Sequence, residues 1–353
     1  MDIHSNDAHN PPDISSVFKF SNCRIPCLKS LSALLGSIDD RNIIEKFYSA
    51  DIVELPRSLE VSRILSSKNE HFMHLKLTLF EHYINLSLPY GEAPIKVVKD
   101  RVSEIPNFTY VRENIFGLNI ERPIAPPPIG CNCEKKGTSI YSSNCLNTDY
   151  CCPRLSGVTN AYNQYGTLKH TQRKPIFECN SACSCKENCS NRIVQHLRKV
   201  PLCLFTTVNG KGWGVKTEFA IESGRFVMEY LGEVITSREA ELRGKYYDNE
   251  GATYLFDLDF NDVDNVYTID AKNFGNISHF VNHSCEPNLE VFPVWIDNLD
   301  VNLPHIALFS KKHIIAGSEL TFDYRMYKDF QSTKKFKGVP CLCESTKCRK
   351  YLC

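Results

Sequence analysis

Two sets of residues in this chain have the types and spacing to do chemistry. The first is cysteine. Of 17 cysteines in 353 residues, nine fall between Cys131 and Cys189, and three more lie near the end as Cys341, Cys343 and Cys348. The early group reads Cys131-x-Cys133, Cys145, Cys151-Cys152, then Cys179-x3-Cys183-x-Cys185-x3-Cys189. The N-terminus is polar and no run approaches the roughly 18 apolar residues of a membrane span, so the chain reads as intracellular. Thiols there stay reduced, and clustered cysteines read as metal ligands. Three tetrahedral zinc ions need twelve bonds, and nine thiolates supply twelve if three of them bridge. The alternative is a mix of simple fingers and spare thiols. With no histidine or carboxylate in the set, the role is scaffolding rather than catalysis. Cys341-x-Cys343-x4-Cys348 is one ligand short of a further zinc site; Cys285 is the best candidate to complete it, and the alternatives are Cys353 or a set of free thiols.

The second set is three short motifs in order. Gly212-Trp213-Gly214 follows an expected strand, a weak signal alone. Asn282-His283-Ser284-Cys285-Glu286-Pro287-Asn288 and Thr321-Phe322-Asp323-Tyr324 are far more specific, because both lie between the two cysteine groups.

The elements that must position these residues are mostly short strands. From Leu202 to Tyr324 apolar runs alternate with turns: Leu202–Thr207, Phe226–Tyr230, Tyr254–Asp259, Val266–Ile269, Leu289–Trp295 and Ile306–Ser310. One helix is expected from Ser237 to Tyr247, with Ser237 as its N-cap and Glu239 and Glu241 in the first turn. Upstream, Leu65, Phe72, Leu75, Leu79 and Tyr83 recur on one helical face. Residues 1–20 read as a polar tail, residues 94–115 as strands or extended chain, and Pro123 to Pro128 as a stiff linker. The cysteine-rich stretch has few apolar runs, so metal must stand in for a core there.

Formal charge is zero, from 41 basic and 41 acidic residues. Zinc thiolates would carry the loaded protein to roughly five negative charges. That balance argues against DNA as the main partner and suits a basic peptide.

Together the two late motifs and the flanking cysteine groups resemble the pre-SET, SET and post-SET arrangement of the suppressor-of-variegation class of histone H3 lysine-9 methyltransferases. The resemblance covers about residues 94–353 and extends to Pro175-Ile-Phe-Glu-Cys-Asn180, Phe226-Val-Met-Glu-Tyr230, Gly251-Ala-Thr-Tyr-Leu-Phe-Asp257 and Cys348-Arg-Lys-Tyr351. It implies a mostly β, knotted SET fold of several short sheets, flanked by zinc–cysteine modules and a partly helical N-terminal region. The segments expected are 1–93 (N-terminal region without a chromodomain), 94–128 (SET-associated segment and linker), 129–192 (pre-SET), 193–326 (SET) and 337–353 (post-SET). The His279 position carries Arg in many relatives.

The resemblance further implies that Gly212, Trp213, Gly214, Tyr254, Asn282 and His283 hold S-adenosylmethionine. Tyr324 is the expected catalytic hydroxyl and Tyr254 its helper on the channel wall. The target amine must be neutral; desolvation and a nearby sulfonium both lower a lysine pKa. Phe322 leaves room around the amine where a Tyr would restrict it, which implies di- and trimethylation. Asp257, Asp259 and Asp270, with Asp262 and Asp264, form an acidic tract that could receive an arginine beside the target lysine; a solvated hairpin explains them equally. The implied partners are the histone H3 tail and heterochromatin proteins, with nuclear location; Lys334, Lys335 and Lys337 are either a weak nuclear signal or a solvated loop. Two other readings stand beside this one: a lysine methyltransferase for non-histone proteins, and a catalytically silent zinc scaffold that binds chromatin. Intact Asn282, His283 and Tyr324 weigh against the scaffold.

Overall fold

The computed structural model describes residues 70–98, 105–123 except 107 and 119, 130–131, 152–156, 161–169, 175–324 except 186, 188, 251–253 and 261–265, and 339–352. Cys133, Cys145, Cys151, Cys353, Asp262, Asp264, Leu65, the polar tail, most of the proline linker and the lysines at 334, 335 and 337 lie outside the described residues.

Among the described residues strands dominate, in five small sheets. Ile95–Val97 runs parallel to Leu202–Thr206, which pairs antiparallel with Trp213–Thr217. A second sheet orders Ile115–Phe116, Glu233–Thr236, Tyr267–Asp270 and Leu255–Asp257. A third orders Ile176–Phe177, Leu289–Trp295, His305–Ser310 and Phe226–Tyr230. Through it the cysteine-rich segment adds an edge strand to the body of the fold, with Val294 opposite Ile176. Two-residue parallel pairs complete the set: Thr109–Tyr110 with Phe274–Gly275, and Asn282–His283 with Thr321–Phe322.

Two α-helices are described. Helix α1, Glu70–Ser87, buries Leu77, Phe80, Tyr83 and Ile84, each at most 1% exposed. That run matches helical spacing and lays one face on the first sheet; the side chains of Phe72, Leu75 and Leu79 are outside those described. The strand beside it is tied down by Asn85, whose side chain exchanges hydrogen bonds with both the N–H and the carbonyl of Ile95 (2.9 and 2.6 Å). Helix α2, Ser237–Glu250, covers the second sheet. Its cap is one residue earlier than expected: Thr236 Oγ1 accepts from the Glu239 N–H at 3.3 Å, so Ser237 is already in the first turn. Threonine serves this role nearly as well as serine, and composition alone does not choose between neighbours.

The main core runs from Leu77 and Phe80 in α1 through Leu202, Leu204 and Val215 to Ile269, Ile277, Phe280, Leu308 and Phe322. A second core, around Tyr162, Val194, Val294 and Phe309, joins the cysteine-rich segment to the third sheet. At its edge Glu178, 1% exposed, accepts from Tyr162 Oη and from the backbone N–H groups of Ile193 and Val194, all at 2.7–2.9 Å. A buried carboxylate is tolerable only when satisfied in this way. It fixes Cys179, the next residue, relative to the sheet.

Candidate active site and metal-ligand clusters

The pairing of Asn282–His283 with Thr321–Phe322 joins segments 39 residues apart into one wall. Beyond it, the Tyr324 backbone N–H donates to Nδ1 of His283 at 3.1 Å, and the Tyr324 hydroxyl donates to the Val281 carbonyl at 2.8 Å. With Nδ1 accepting, His283 carries its proton on Nε2, which faces Cys285 Sγ at 3.3 Å. Asn282 is held equally firmly. Its Nδ2 donates to the Trp213 carbonyl and to Glu319 Oε1, both at 2.9 Å, while Lys211 Nζ sits 2.8 Å from Glu319 Oε2. The first motif is thus bound to the second through one amide.

Gly212 has φ +80°, a backbone that only glycine adopts easily. Gly214 is small for another reason: a Cβ there would meet the Phe205 ring at 3.0 Å. Its size serves packing against the neighbouring strand.

Aromatic rings line the same region. Phe322, 4% exposed, lies 4.8 Å from the Tyr324 ring, 6.2 Å from Tyr230 and 6.5 Å from Phe256. The Tyr230 hydroxyl donates to the Tyr254 carbonyl at 2.8 Å, which places Tyr254 beside this group. Burial, with Tyr254 and Glu319 nearby, pushes the Tyr324 phenol well above its ordinary value, so it stays a neutral hydroxyl. The Tyr254 ring stacks on His279 at 4.4 Å, and His279 stacks in turn on Phe108 at 4.8 Å. Burial lowers His279 to about 4, and its Nδ1 sits 2.6 Å from the Ala271 carbonyl.

The acidic tract divides. Asp257 and Asp259 are partly exposed, and Asp257 accepts from Thr268 Oγ1 at 2.9 Å. Asp270 is 2% exposed and accepts from Arg243 Nη1 at 2.8 Å, Tyr247 Oη at 2.7 Å and the Lys272 N–H at 3.0 Å. Its expected role toward an incoming arginine is therefore corrected: Asp270 already has a cation, supplied by α2.

Among the described residues, cysteines gather in three groups. Sulfurs of Cys131, Cys152, Cys179 and Cys183 lie within 4.8 Å of one another, as do those of Cys179, Cys185 and Cys189, and of Cys285, Cys341, Cys343 and Cys348. Zinc–sulfur bonds of about 2.3 Å put tetrahedral sulfurs about 3.8 Å apart. Cys131–Cys179, Cys179–Cys189 and Cys285–Cys341 measure 3.7, 3.8 and 3.8 Å. Cys179 belongs to two groups, as a bridging thiolate would. Backbone N–H groups of Cys131 and Asn180 also point at Cys183 Sγ, at 3.3 and 3.2 Å, a setting that suits a thiolate. The donor set and spacing fit metal.

Sequence reasoning missed Glu319 and Lys211, and it named His279, Tyr230 and Arg349 without these contacts. Glu319 carried a signal, standing two residues before Thr321.

Comparison with known proteins agrees with this geometry. Residues 212–325 match the SET domain family and residues 89–192 the Pre-SET motif family. Histone-lysine N-methyltransferase Su(var)3-9 of Drosophila melanogaster is 45% identical over 286 residues, 78% of this chain and 44% of that protein. Human histone-lysine N-methyltransferase SUV39H2 is 54% identical over 211 residues, 57% of this chain and 51% of that protein. The chain thus spans about half the length of these curated relatives.

Among solved structures, the methyltransferase domain of human histone-lysine N-methyltransferase SETMAR superposes with a TM-score of 0.61 at 30% identity, covering 76% of this chain and 97% of that one. KRYPTONITE, solved with mCHH DNA, an H3(1-15) peptide and SAH, gives 0.58 at 30%, covering 74% and 52%. SUVH6 of Arabidopsis thaliana in complex with SAM gives 0.62 at 30%, covering 85% and 60%. The fold and the paired motifs define a SET-domain protein with a cysteine-rich Pre-SET module. Within that class, the chain belongs to the suppressor-of-variegation family of histone-lysine methyltransferases.

Proposed function

We propose that this protein transfers methyl groups from S-adenosylmethionine to lysine 9 of histone H3, reaching di- and trimethyl products, in the service of heterochromatin formation in the nucleus. The observation that carries the reading is the joining of Asn282 and His283 to Phe322 and Tyr324 inside an aromatic wall. Relatives named as histone-lysine methyltransferases and a neighbour solved with an H3 peptide and SAH support it.

The methyl donor supplies a sulfonium methyl, whose C–S bond breaks as the lysine nitrogen forms its C–N bond. The chain's own residues do the rest. Asn282 and His283, with the Gly212-Trp213-Gly214 backbone, hold the donor. Tyr230, Tyr254, Phe256 and Phe322 exclude water, which favours the neutral amine. The Tyr324 hydroxyl donates its hydrogen bond to the Val281 carbonyl, leaving its oxygen lone pairs to accept from the amine and to face the methyl's partial positive charge. Because this phenol stays protonated, it aligns the amine and does not deprotonate it; the amine arrives neutral and the product's extra proton leaves to solvent. Most of the acceleration is alignment of sulfur, carbon and nitrogen.

In the same reading residues 193–326 form the catalytic domain, residues 129–192 carry three zinc ions and residues 337–353 one more, completed by Cys285. Asp257 and Asp259 face the basic tail. Residues 94–128 connect this unit to an N-terminal region, 1–93.

The test is transfer from labelled S-adenosylmethionine to an H3 tail peptide and to the same peptide with alanine in place of lysine 9. Label on the first alone supports the reading. Equal label on both overturns the site, and no transfer to any histone or other protein overturns the activity.

A further inference from the structure

The C-terminal cysteine group touches the catalytic wall at a point the mechanism above does not use. Arg349 follows Cys348, and its backbone N–H donates to Cys285 Sγ at 3.3 Å. Its guanidinium reaches Asp323, with the Cys285 sulfur also close enough to favour its charge. Nη1 donates to Asp323 Oδ2 at 2.7 Å and Nη2 to Asp323 Oδ1 at 2.5 Å, a two-pronged fork with both prongs on one carboxylate. Asp323 stands between Phe322 and Tyr324. The same Nη2 lies 3.5 Å from His283 Nε2. Since that nitrogen also carries a proton, the contact is packing of the guanidinium edge on the imidazole. A closed circuit results: Arg349 to Asp323, Asp323 to Tyr324 by the backbone, Tyr324 to His283, and His283 through Cys285 back to Arg349.

Surface ion pairs seldom matter much, but this one differs in three respects. It is bidentate, its carboxylate is only 19% exposed, and the backbone is held at both ends, at Arg349 by its N–H on Cys285 Sγ and next to Asp323 by the pairing of Phe322 with His283. The rest of the tail is held elsewhere. Thr346 Oγ1 donates to Glu286 Oε2 at 2.9 Å, and Asn209 Nδ2 donates to the Leu342 carbonyl at 3.2 Å. Docking of the module therefore does not depend on Arg349 alone.

We propose that Arg349 is a positioning residue through which the C-terminal cysteine module sets the catalytic strand: its fork on Asp323 fixes the place of Tyr324 and of the His283 ring, and so couples donor binding to the ordered state of the tail. The inference rests on the methyltransferase reading given above.

The experiment is a double-mutant cycle on the full chain, read by calorimetric titration with S-adenosylhomocysteine, by bound zinc and by kcat at saturating substrates. Arg349→Met and Asp323→Asn are each expected to weaken S-adenosylhomocysteine binding about tenfold and to lower kcat, with zinc content unchanged. The double variant should be no weaker than either single one. Arg349→Lys keeps the charge but not the fork and should stay at least fivefold weak. Thr346→Val, which loosens the tail away from the wall, should remain within twofold of wild type. If Arg349→Met sheds zinc, Arg349→Lys carries the test. Affinities within twofold of wild type in both Arg349 variants, or losses that multiply to about a hundredfold in the double variant, overturn the proposal. Wild-type protein that binds no S-adenosylhomocysteine overturns the methyltransferase reading itself, and this inference with it.

Discussion

The hydroxyl of Tyr324 donates to the backbone carbonyl of Val281 at 2.8 Å, the residue immediately before Asn282 and His283. One bond therefore fixes the direction of the phenol oxygen and the spacing between the two motifs. Replacing Tyr324 with Phe removes the oxygen but keeps the ring contact with Phe322 at 4.8 Å. Turnover should fall at least about a hundredfold, the range expected for a positioned polar group. S-adenosylhomocysteine affinity should change little, because the pairing of Asn282–His283 with Thr321–Phe322 still holds the two motifs together, while the freed Val281 carbonyl should cost about 1–3 kcal/mol of stability. Unaltered turnover would remove Tyr324 from the proposed chemistry.

Phe322 is 4% exposed and walled by Tyr230, Phe256 and Tyr324. A hydroxyl introduced there has to find a partner, because a buried unsatisfied donor costs about 1–3 kcal/mol. The amine entering the channel is the partner at hand. Phe322→Tyr should therefore hold the amine after one transfer and shift the product toward monomethyl-lysine. Mass spectrometry at completion checks this, and an unchanged mixture of higher methyl states would sink it.

Cys179 is 0% exposed, lies 3.7 Å from Cys131 Sγ and 3.8 Å from Cys189 Sγ, and belongs to both early sulfur groups. Cys189 belongs to one. If Cys179 bridges, Cys179→Ser should release more zinc per chain than Cys189→Ser and lower stability further, because metal affinity here is folding free energy. Elemental analysis with thermal unfolding gives the answer. Equal zinc loss in the two variants would mean separate sites without a bridge.

These residues were visible in the sequence to different depths. The cysteine spacing and the two late motifs stand out, since each needs fixed residue types at fixed offsets. The strands Phe226–Tyr230 and Leu289–Trp295 were legible to the residue, being apolar runs bounded by turn signals. What joins distant segments was not. Nothing at Asp323 announces Arg349, and nothing at Asp270 announces Arg243, because an ion pair across 26 or 27 residues leaves no local pattern. Asp270 read as free to receive an arginine, or as part of a solvated hairpin, for that reason. The helix cap moved from Ser237 to Thr236 because adjacent hydroxyls look alike until the backbone direction is known.

Asp270 offers a direct check on that correction. Its carboxylate holds Arg243, Tyr247 and the Lys272 N–H at once. Asp270→Asn leaves Arg243 paired with Glu233 at 2.6 Å but weakens the inner bond, so the protein should lose about 1–3 kcal/mol of stability. The KM for an H3 tail peptide should remain within twofold. A raised KM with unchanged stability would return Asp270 to the peptide-binding surface.

His279 lies between the rings of Phe108 and Tyr254, at 4.8 and 4.4 Å, and burial lowers its pKa to about 4. An unfolded histidine titrates near 6.5. Between those values the unfolded chain binds the extra proton and the folded one does not, so this group's stabilising contribution is complete above about pH 6.5 and is lost as pH falls toward 4. His305 has the opposite sign. Glu229 and Asp297 flank it at 2.6 and 3.0 Å and hold its pKa well above the ordinary range, so its contribution is present at low pH and is lost as pH rises through that raised value. Because the two oppose each other, the wild-type curve alone does not isolate either. His279→Phe preserves the three-ring stack and removes the titration. Urea unfolding from pH 4.5 to 7.5 should show wild type losing more stability on acidification than His279→Phe, by on the order of 1–3 kcal/mol across the window. Parallel curves for the two proteins would mean that the imidazole accepts its proton inside the stack, and that the stack does not hold it neutral.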